Sequence, residues 1–415
     1  SSLLRSNDTA MNPIPVIQNR RVVLGVTGSV AVYKAVDLAS MLTRAGALVD
    51  VVMTGSATRF VSPLMFQSVT GRKVYGELWG GDAHIVHINL VHGADMLAIA
   101  PCTAHTLARL SHGLADDLLT VAALAVDCPL LIAPAMDAGM WDQSAIQENA
   151  RVLRDRGAII VGPAEGRLAS GAEGIGRLVE PAEIMGNVRL VLGAHGSFAG
   201  RKCVVTAGGT QESIDPVRYI SNHSSGKQGF ALAQASLDRG AQVTLITAPT
   251  YLPTPVGASR VDVRSASEMS DAVLAASCES DVLIMAAAVS DLQSESESEH
   301  KMKLGGNSPI SLTLEHTPDI LESVADLRTS TGKPQIVVGF AAESQNLVEN
   351  ARSKLRKKQL ALIAANDILA NDAGFLVDNN RITLLDANDH VEELPLMTKS
   401  QVAEVICDRI EAMLN

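Results

Sequence analysis

Twice along this chain, short aliphatic runs alternate with segments of helical period, and that alternation limits the fold more tightly than any other feature. From Arg21, RVVLGVTG reads as a strand, SVAVYKAVDLASMLTRAG as a helix closed by glycine, and ALVDVVMT as a second strand. DMLAIAPCT, PLLIAPAM and GAIIVGP add three strands with helix-period segments between them. At Lys202 the pattern restarts with KCVVTAGG, followed by AQVTLITA, DVLIMAAA, PQIVVGFA and LALIAAN. Strands interleaved with helices build βαβ units, whose parallel sheets are covered on both faces. Composition agrees. Hydrophobic residues make up 47% of the chain but aromatics only 3%, so Ala, Val, Leu and Ile must fill the core. Such strands suit a doubly buried sheet.

The expectation is an α/β protein of two doubly wound, Rossmann-like domains, and 415 residues let each bury a core of its own. Residues 1–19 read as a flexible leader, 20–193 as the first domain, 194–201 as a linker and 202–415 as the second domain. The linker reading rests on GAHGSFAG, which is rich in glycine and follows a helix begun at Pro181. Near the end, GFLVDNNRITLLDAND suggests a hairpin around Asn379-Asn380, and a last helix runs from Lys399 to Leu414.

The net charge of −11 leaves no basic stripe for a nucleic acid. The densest charge run, SESESEHKMK from Ser294, has an acidic half that reads as a solvated loop. Five cysteines without a C-x-x-C pair fit a reduced cytosol, so a cytoplasmic protein is expected. No apolar run reaches the ~18 residues of a membrane span. The first twenty residues lack the ~7–15 apolar residues of a signal peptide.

Ligands of doubly wound sheets sit beyond the carboxyl ends of the strands. In the first half those ends are Gly28-Ser29, Thr54-Gly55-Ser56, Pro101-Cys102-Thr103 and Pro134-Ala135-Met136. In the second half the first strand runs into Gly208 and Gly209, small enough to let backbone N–H groups approach a phosphate, or simply to make a tight turn. Ser224, Ser225, Gly226 and Lys227 precede a helix and add a second anion-binding feature. They do not form a P-loop, because Ser221 stands where its first glycine belongs and Gln228 where its hydroxyl belongs. Lys354 and Lys358 lie i,i+4 on a helix-like segment, as a phosphate clamp or as a solvated basic face.

TAGGTQESIDPVRYISNHSSGKQG resembles the opening of the phosphopantothenate–cysteine ligases. AAAVSD, KMK (Lys301 and Lys303), TPDI, VVGFAAES and AND follow in the family's order, so the likeness covers the whole second half. It implies ligation of 4′-phosphopantothenate to cysteine through an acyl-cytidylate, with CTP and Mg2+. Crowding phosphates around a carboxylate demands positioned cations. By resemblance, Lys301 is the cation for forming the acyl-cytidylate, and Asn222 orients that intermediate for the cysteine amine. Met285, Ala286, Ala287, Asp291, Pro318 and Asp319 match nucleotide-binding positions, as do Ile320, Leu321, Phe340, Lys354 and Lys358.

In the first half, GVTGSVAVYKA, MTGSATRFVSPLMFQSVTG, HINLVHGADMLAIAPCTAHTLARLSHGLADDLL and PAMDAGMW resemble the flavin-dependent cysteine decarboxylases acting on 4′-phosphopantothenoylcysteine. The resemblance implies FMN contacts at Gly28, Ser29, Thr54, Ser56 and Thr103, and a catalytic role for His87. His84 lies i,i+3 from His87, but no third metal ligand accompanies them. Two positions depart from the family. Asp137 replaces an asparagine whose amide helps hold the substrate carboxylate, and a charged aspartate repels that group unless its pKa rises or a cation intervenes. Ser170 replaces the proton-donating cysteine of a glycine-rich flap, GPAEGRLASGAEGIGR, and a hydroxyl is a far weaker acid. Cys102, or a water held by Asp137, is the substitute considered.

These resemblances imply a bifunctional coenzyme A biosynthesis enzyme. The alternative is a monofunctional ligase whose flavin half serves binding or assembly. An NAD-dependent dehydrogenase is disfavoured, since no G-x-G-x-x-G follows the first strand of either half. Family resemblance also implies a homo-oligomer, with trimers of the flavin half and dimers of the ligase half.

Overall fold

The computed structural model describes residues 13–76, 78, 90–169, 171–302, 311–343, 346–367 and 379–414. Its contacts divide the chain into two compact units, Ser1–Leu192 and Gly193–Asn415.

The first unit is built on a parallel sheet of β1 (Arg21–Val26), β2 (Leu48–Met53), β3 (Val74–Tyr75), β4 (Met96–Cys102), β5 (Leu130–Pro134) and β6 (Ile159–Ile160). Their order across the sheet is β3-β2-β1-β4-β5-β6. Successive side chains of a strand point to opposite faces, so Val22, Leu24 and Val26 enter one core while Val23 enters the other. Helix Val32–Arg44 covers the first face with Ala35, Leu38, Ala39 and Leu42, spaced as an apolar stripe. A hairpin follows the sheet: β7 (Ala164–Arg167) and β8 (Glu173–Arg177) pair antiparallel.

The second unit's main sheet contains β9 (Lys202–Ala207), β12 (Gln242–Thr247), β13 (Ser259–Asp262), β14 (Val282–Met285), β17 (Ile336–Glu343) and β18 (Leu362–Asp367). β20 (Ile382–Asp386) and β21 (Val391–Glu393) extend it antiparallel, giving the order β13-β12-β9-β14-β17-β18-β20-β21. Between these strands lie β10 (Gln211–Asp215) paired with β11 (Arg218–Ser221), and β15 (Leu292–Ser294) paired with β16 (Leu314–His316). The last helix spans Lys399–Leu414.

Three expectations need correction. Residues 13–19 of the leader are packed, because Ile17 is fully buried and the amides of Ile14 and Asn19 donate to Ala45 and Gly46. The glycine-rich 194–201 segment is not loose either. Phe198 is fully buried and its amide donates to Arg239 O at 2.8 Å. The glycines there serve close approach: a Cβ on Gly196 would lie 2.6 Å from Arg239 O. Finally, Asn379-Asn380 is no turn. It forms β19, paired with β22 (Met397–Thr398), and the hairpin turn falls between β20 and β21, where Asp389 takes φ 64°.

Two candidate active sites

In the first unit, Thr27 ties together the strand ends at the switch between β1 and β4. Its Oγ1 donates to Pro101 O at 2.7 Å and accepts from the Thr103 amide at 3.0 Å. Gly28 packs on Ser56, whose Cβ would lie 2.5 Å from a Cβ at residue 28. Ser29 Oγ accepts from the Ala31 amide just before helix Val32–Arg44. Buried Thr54 accepts from the Ala57 amide, and Thr103 caps helix Ala104–His112. Hydroxyls and helix N-termini thus gather at one edge, with no acid in the first turn of either helix.

A cleft of about 810 Å³ has Ser29 and Asp137 on its lining, whereas Gly28, Thr54, Ser56 and Thr103 are not on it. Asp137 caps the short turn Ala138–Trp141 by accepting from the Gly139 amide at 3.0 Å. β8 holds this loop: Met136 N donates to Gly176 O at 2.9 Å, and a Cβ on Gly176 would lie 2.4 Å from Met136 O. The flap glycines at 174 and 176 therefore answer to close packing rather than to mobility. His87 and Ser170 lie outside the described residues, as does His84. Cys102 is a poor substitute donor. Its side chain belongs to the core, and burial pushes its thiol pKa up.

Sequence reasoning missed the charges of this cleft. Lys34, Asp37, Arg167, Arg177 and Glu180 share its lining. Lys34 is buried and donates to Leu178 O and to Glu180 Oε1, at 3.1 and 2.8 Å. Lys34, with Arg177 adding to it, holds the Glu180 carboxyl below the usual carboxylate range. The available signal was a lysine on the apolar stripe of VYKAVDLA, where a charge needs a partner.

In the second unit, the turn after β9 and the loop after β14 are stitched together. Ala288 N donates to Gly208 O at 2.8 Å, and Ser290 N to Thr210 Oγ1 at 2.9 Å. Gly208 takes φ 82° with Ala248 O 2.9 Å from where a Cβ would be, so no side chain fits. Gly226, at φ 74°, caps helix Lys227–Asp238 and lies close to Gly208. The two expected anion features are thereby adjacent. Ser224 and Ser225 accept from the amides of Gly226 and Lys227. Asn222 Nδ2 donates to Val289 O at 3.0 Å.

Val289 lines a cleft of about 410 Å³ together with Met285, Ala287, Asp291, Pro318, Asp319, Ile320, Leu321, Phe340, Lys354 and Lys358. Ala286 is not on the lining but sits between two residues that are. Lys354 Nζ donates to Phe340 O at 3.1 Å, and the buried Lys358 pairs with Asp319. Burial alone raises the Asp319 pKa, but Lys358 and the Glu322 amide hold its carboxyl below the usual range.

Lys301 is exposed and is not on this lining. Its neighbour Met302 is anchored by Asp215, which also accepts from the amides of Val217 and Arg218 and from the Arg218 guanidinium. Burial opposes the Asp215 charge, yet those amides and Arg218 keep its carboxyl below the usual range. Asp215 and Arg218 were missed, although both stand in the quoted IDPVRY. Among the described residues no three His, Cys, Asp or Glu side chains gather to hold a metal, and no helix is long and apolar enough to cross a membrane.

Residues 198–414 match the family model for the DNA/pantothenate metabolism flavoprotein C-terminal domain, and residues 15–193 match the flavoprotein model. The coenzyme A biosynthesis bifunctional protein CoaBC of Bacillus subtilis is 43% identical over 405 residues, which cover 96% of this chain and 98% of that protein. The chain belongs to the CoaBC family. The Vibrio cholerae CoaBC is 40% identical over 401 residues, covering 96% and 99%. A crystal structure of a CoaBC C-terminal domain, 37% identical, covers 53% of this chain and 98% of its own, with a TM-score of 0.45. Like its family, the chain is a bifunctional enzyme of coenzyme A biosynthesis, a ligase and a decarboxylase, with a flavoprotein domain as its first half. The monofunctional and dehydrogenase readings give way to it.

Proposed function

We propose that the second unit of this chain activates 4′-phosphopantothenate with CTP and passes it to cysteine, and that the cleft of about 410 Å³ receives the nucleotide. One observation carries the reading. Motifs far apart in sequence (MAA, TPDI, Phe340, and Lys354 with Lys358) converge on one lining. Lys354 and Lys358 meet the triphosphate there, and Lys358 exchanges Asp319 for it. The adjacent Gly208, Gly209 and Ser224 to Lys227 take the substrate phosphate through amides and hydroxyls. Lys301 offsets charge as the acyl-cytidylate forms, and Asn222 orients it for the amine. With no cage among the described residues, Mg2+ would be held as that ion is usually held, by one or two carboxylates plus phosphates, here Asp291 and Asp319.

The first unit's strand ends suit FMN. The cleft of about 810 Å³ falls in the range for a cofactor site. Gly28, Ser29, Thr54, Ser56 and Thr103 offer small contacts and helix N-termini to its phosphate. When bound, the flavin supplies the redox chemistry of decarboxylation. The chain's own part is to orient the substrate through Asp137 and the β7–β8 hairpin and to move protons through His87 and position 170. Trimers of the first unit, dimers of the second and a cytoplasmic setting complete the reading.

The test is incubation of the flavin-loaded chain with 4′-phosphopantothenate, cysteine and CTP, followed by mass analysis of all products. Acyl-cytidylate, phosphopantothenoylcysteine and saturated 4′-phosphopantetheine are expected in sequence. Equal ligation with ATP as the sole nucleotide would overturn the nucleotide assignment.

A further inference from the structure

The decarboxylase cleft carries three cations and three acids, yet its substrate is an anion. Lys34, Arg167 and Arg177 share the lining with Asp37, Asp137 and Glu180. Two of the cations are committed, because Lys34 and Arg177 both donate to Glu180 Oε1, at 2.8 and 2.6 Å. Asp37 and Asp137 repel a carboxylate that enters. The side chain of Arg167, the last residue of β7, makes no hydrogen bond or ion pair with the described residues, its register partner Glu173 included.

The hairpin brings this arginine to the mouth that holds Asp137. β8 pairs with β7 and is fixed to the Asp137 loop through the Gly176–Met136 bond, and a Cβ on Gly174 would lie 2.7 Å from that of Ala138. A guanidinium also suits a carboxylate, since its fork donates two parallel N–H bonds.

We propose that Arg167 binds the substrate carboxylate that is lost as CO2, offsetting the charge of Asp137, and so sets specificity for an acidic substrate. The proposal rests on the reading of this cleft as the decarboxylase site. It implies a kinetic signature. As the C–C bond breaks and CO2 departs, the electron pair stays on the remaining substrate, so negative charge leaves the group that Arg167 holds. A cation placed there stabilises the bound substrate more than the transition state. Arg167→Gln should raise KM by about ten- to a hundredfold, the range for a hydrogen bond to a charged group, and should leave kcat unchanged or raise it, never lower it.

The experiment uses flavin-loaded, full-length wild type, Arg167→Gln, Arg167→Lys, Asp137→Asn and the double variant Asp137→Asn/Arg167→Gln. Each is assayed on 4′-phosphopantothenoylcysteine and on its dephosphorylated form, with 4′-phosphopantetheine, which lacks the carboxylate, as inhibitor. Arg167→Gln should raise KM for both substrates alike and leave inhibition by 4′-phosphopantetheine unchanged. Arg167→Lys should recover part of the loss, and the Asp137→Asn background should shrink it. An unchanged KM, an equal loss of inhibitor affinity, or a loss confined to the phosphorylated substrate would each overturn the proposal, the last by assigning Arg167 to the phosphate. If wild type does not turn over, the site reading fails and this inference falls with it.

Discussion

Counted within its own main sheet, each unit lays its strands in the order third, second, first, fourth, fifth, sixth: β3-β2-β1-β4-β5-β6 in one and β13-β12-β9-β14-β17-β18 in the other. Both therefore open a crevice between their first and fourth strands. What rises from that edge differs. The first unit lines it with hydroxyls and amides from Thr27, Ser29 and Thr103, and imports charge through helix Val32–Arg44 and the β7–β8 hairpin. The second sends charge down from Lys354, Lys358 and Asp319, and Asn222, just past the β10–β11 hairpin, bonds the carbonyl of Val289, which lies on the lining. Winding supplies the place, and the inserted hairpins and helix ends supply the chemistry.

The largest expected effect tests where the second unit begins. Phe198→Ala should cost that unit about 3–5 kcal/mol, as for other buried aromatics cut to alanine, read by denaturant unfolding of the full chain with unit-specific probes. A loss in the first unit instead would misplace the boundary. Next comes the separation of roles within the ligase. Lys301→Gln should slow acyl-cytidylate formation by roughly 10²–10³-fold, the effect of removing one positioned electrostatic group, whereas Asn222→Asp should accumulate the cytidylate and pass it on slowly. Normal cytidylate formation by Lys301→Gln, seen by rapid-quench mass analysis, would remove its assigned role.

A smaller effect probes the neutral edge of the first unit. Thr103→Ala deletes the cap of helix Ala104–His112 and should cost about 1 kcal/mol, with weaker flavin retention. Flavin content equal to wild type would detach that cap from the cofactor. The smallest concerns Asp319 and Lys358. The Asp319 pKa is lowered on folding, so its contribution is complete above the ordinary aspartate pKa of about 3.9 and fades as pH falls through the folded value. The Lys358 pKa is raised: burial lowers it, but Asp319 and Glu322 outweigh burial, so its share is present below the ordinary lysine pKa and lost as pH rises through the folded value. Asp319 is half exposed, which keeps the pair under about 1 kcal/mol. Asp319→Asn should therefore differ slightly from wild type near neutrality and converge with it in acid. A gap that persists at low pH would point to packing instead.

The strands were legible because aliphatic runs bounded by turn residues survive in any context, and the last helix was legible from its period. That Asp291, Pro318, Asp319, Phe340, Lys354 and Lys358 share one lining was legible because their motifs follow one another in a fixed order. The buried charges were not. Nothing in VYKA says that its lysine meets Glu180, more than a hundred residues on, and Asp215 declares its role only when Met302 folds back onto it. The glycines of GAHGSFAG and of the flap misled for one reason. Composition cannot separate a glycine that lends freedom from one that admits a neighbouring backbone.

That distinction has a consequence for how the two activities can be parted. Helix Pro181–Gly193 gives Ile184, Met185 and Val188 to the first core, with Val191 and Leu192 packed against it. From the next residue the chain belongs elsewhere: a Cβ on Gly193 would lie 2.4 Å from Asp238 O, and one on Gly240 2.8 Å from Gly193 O. A gene fission, natural or engineered, that yields two sound proteins therefore has almost no latitude, and cutting at the apparent linker would strand the second protein's Phe198 on the end of the first.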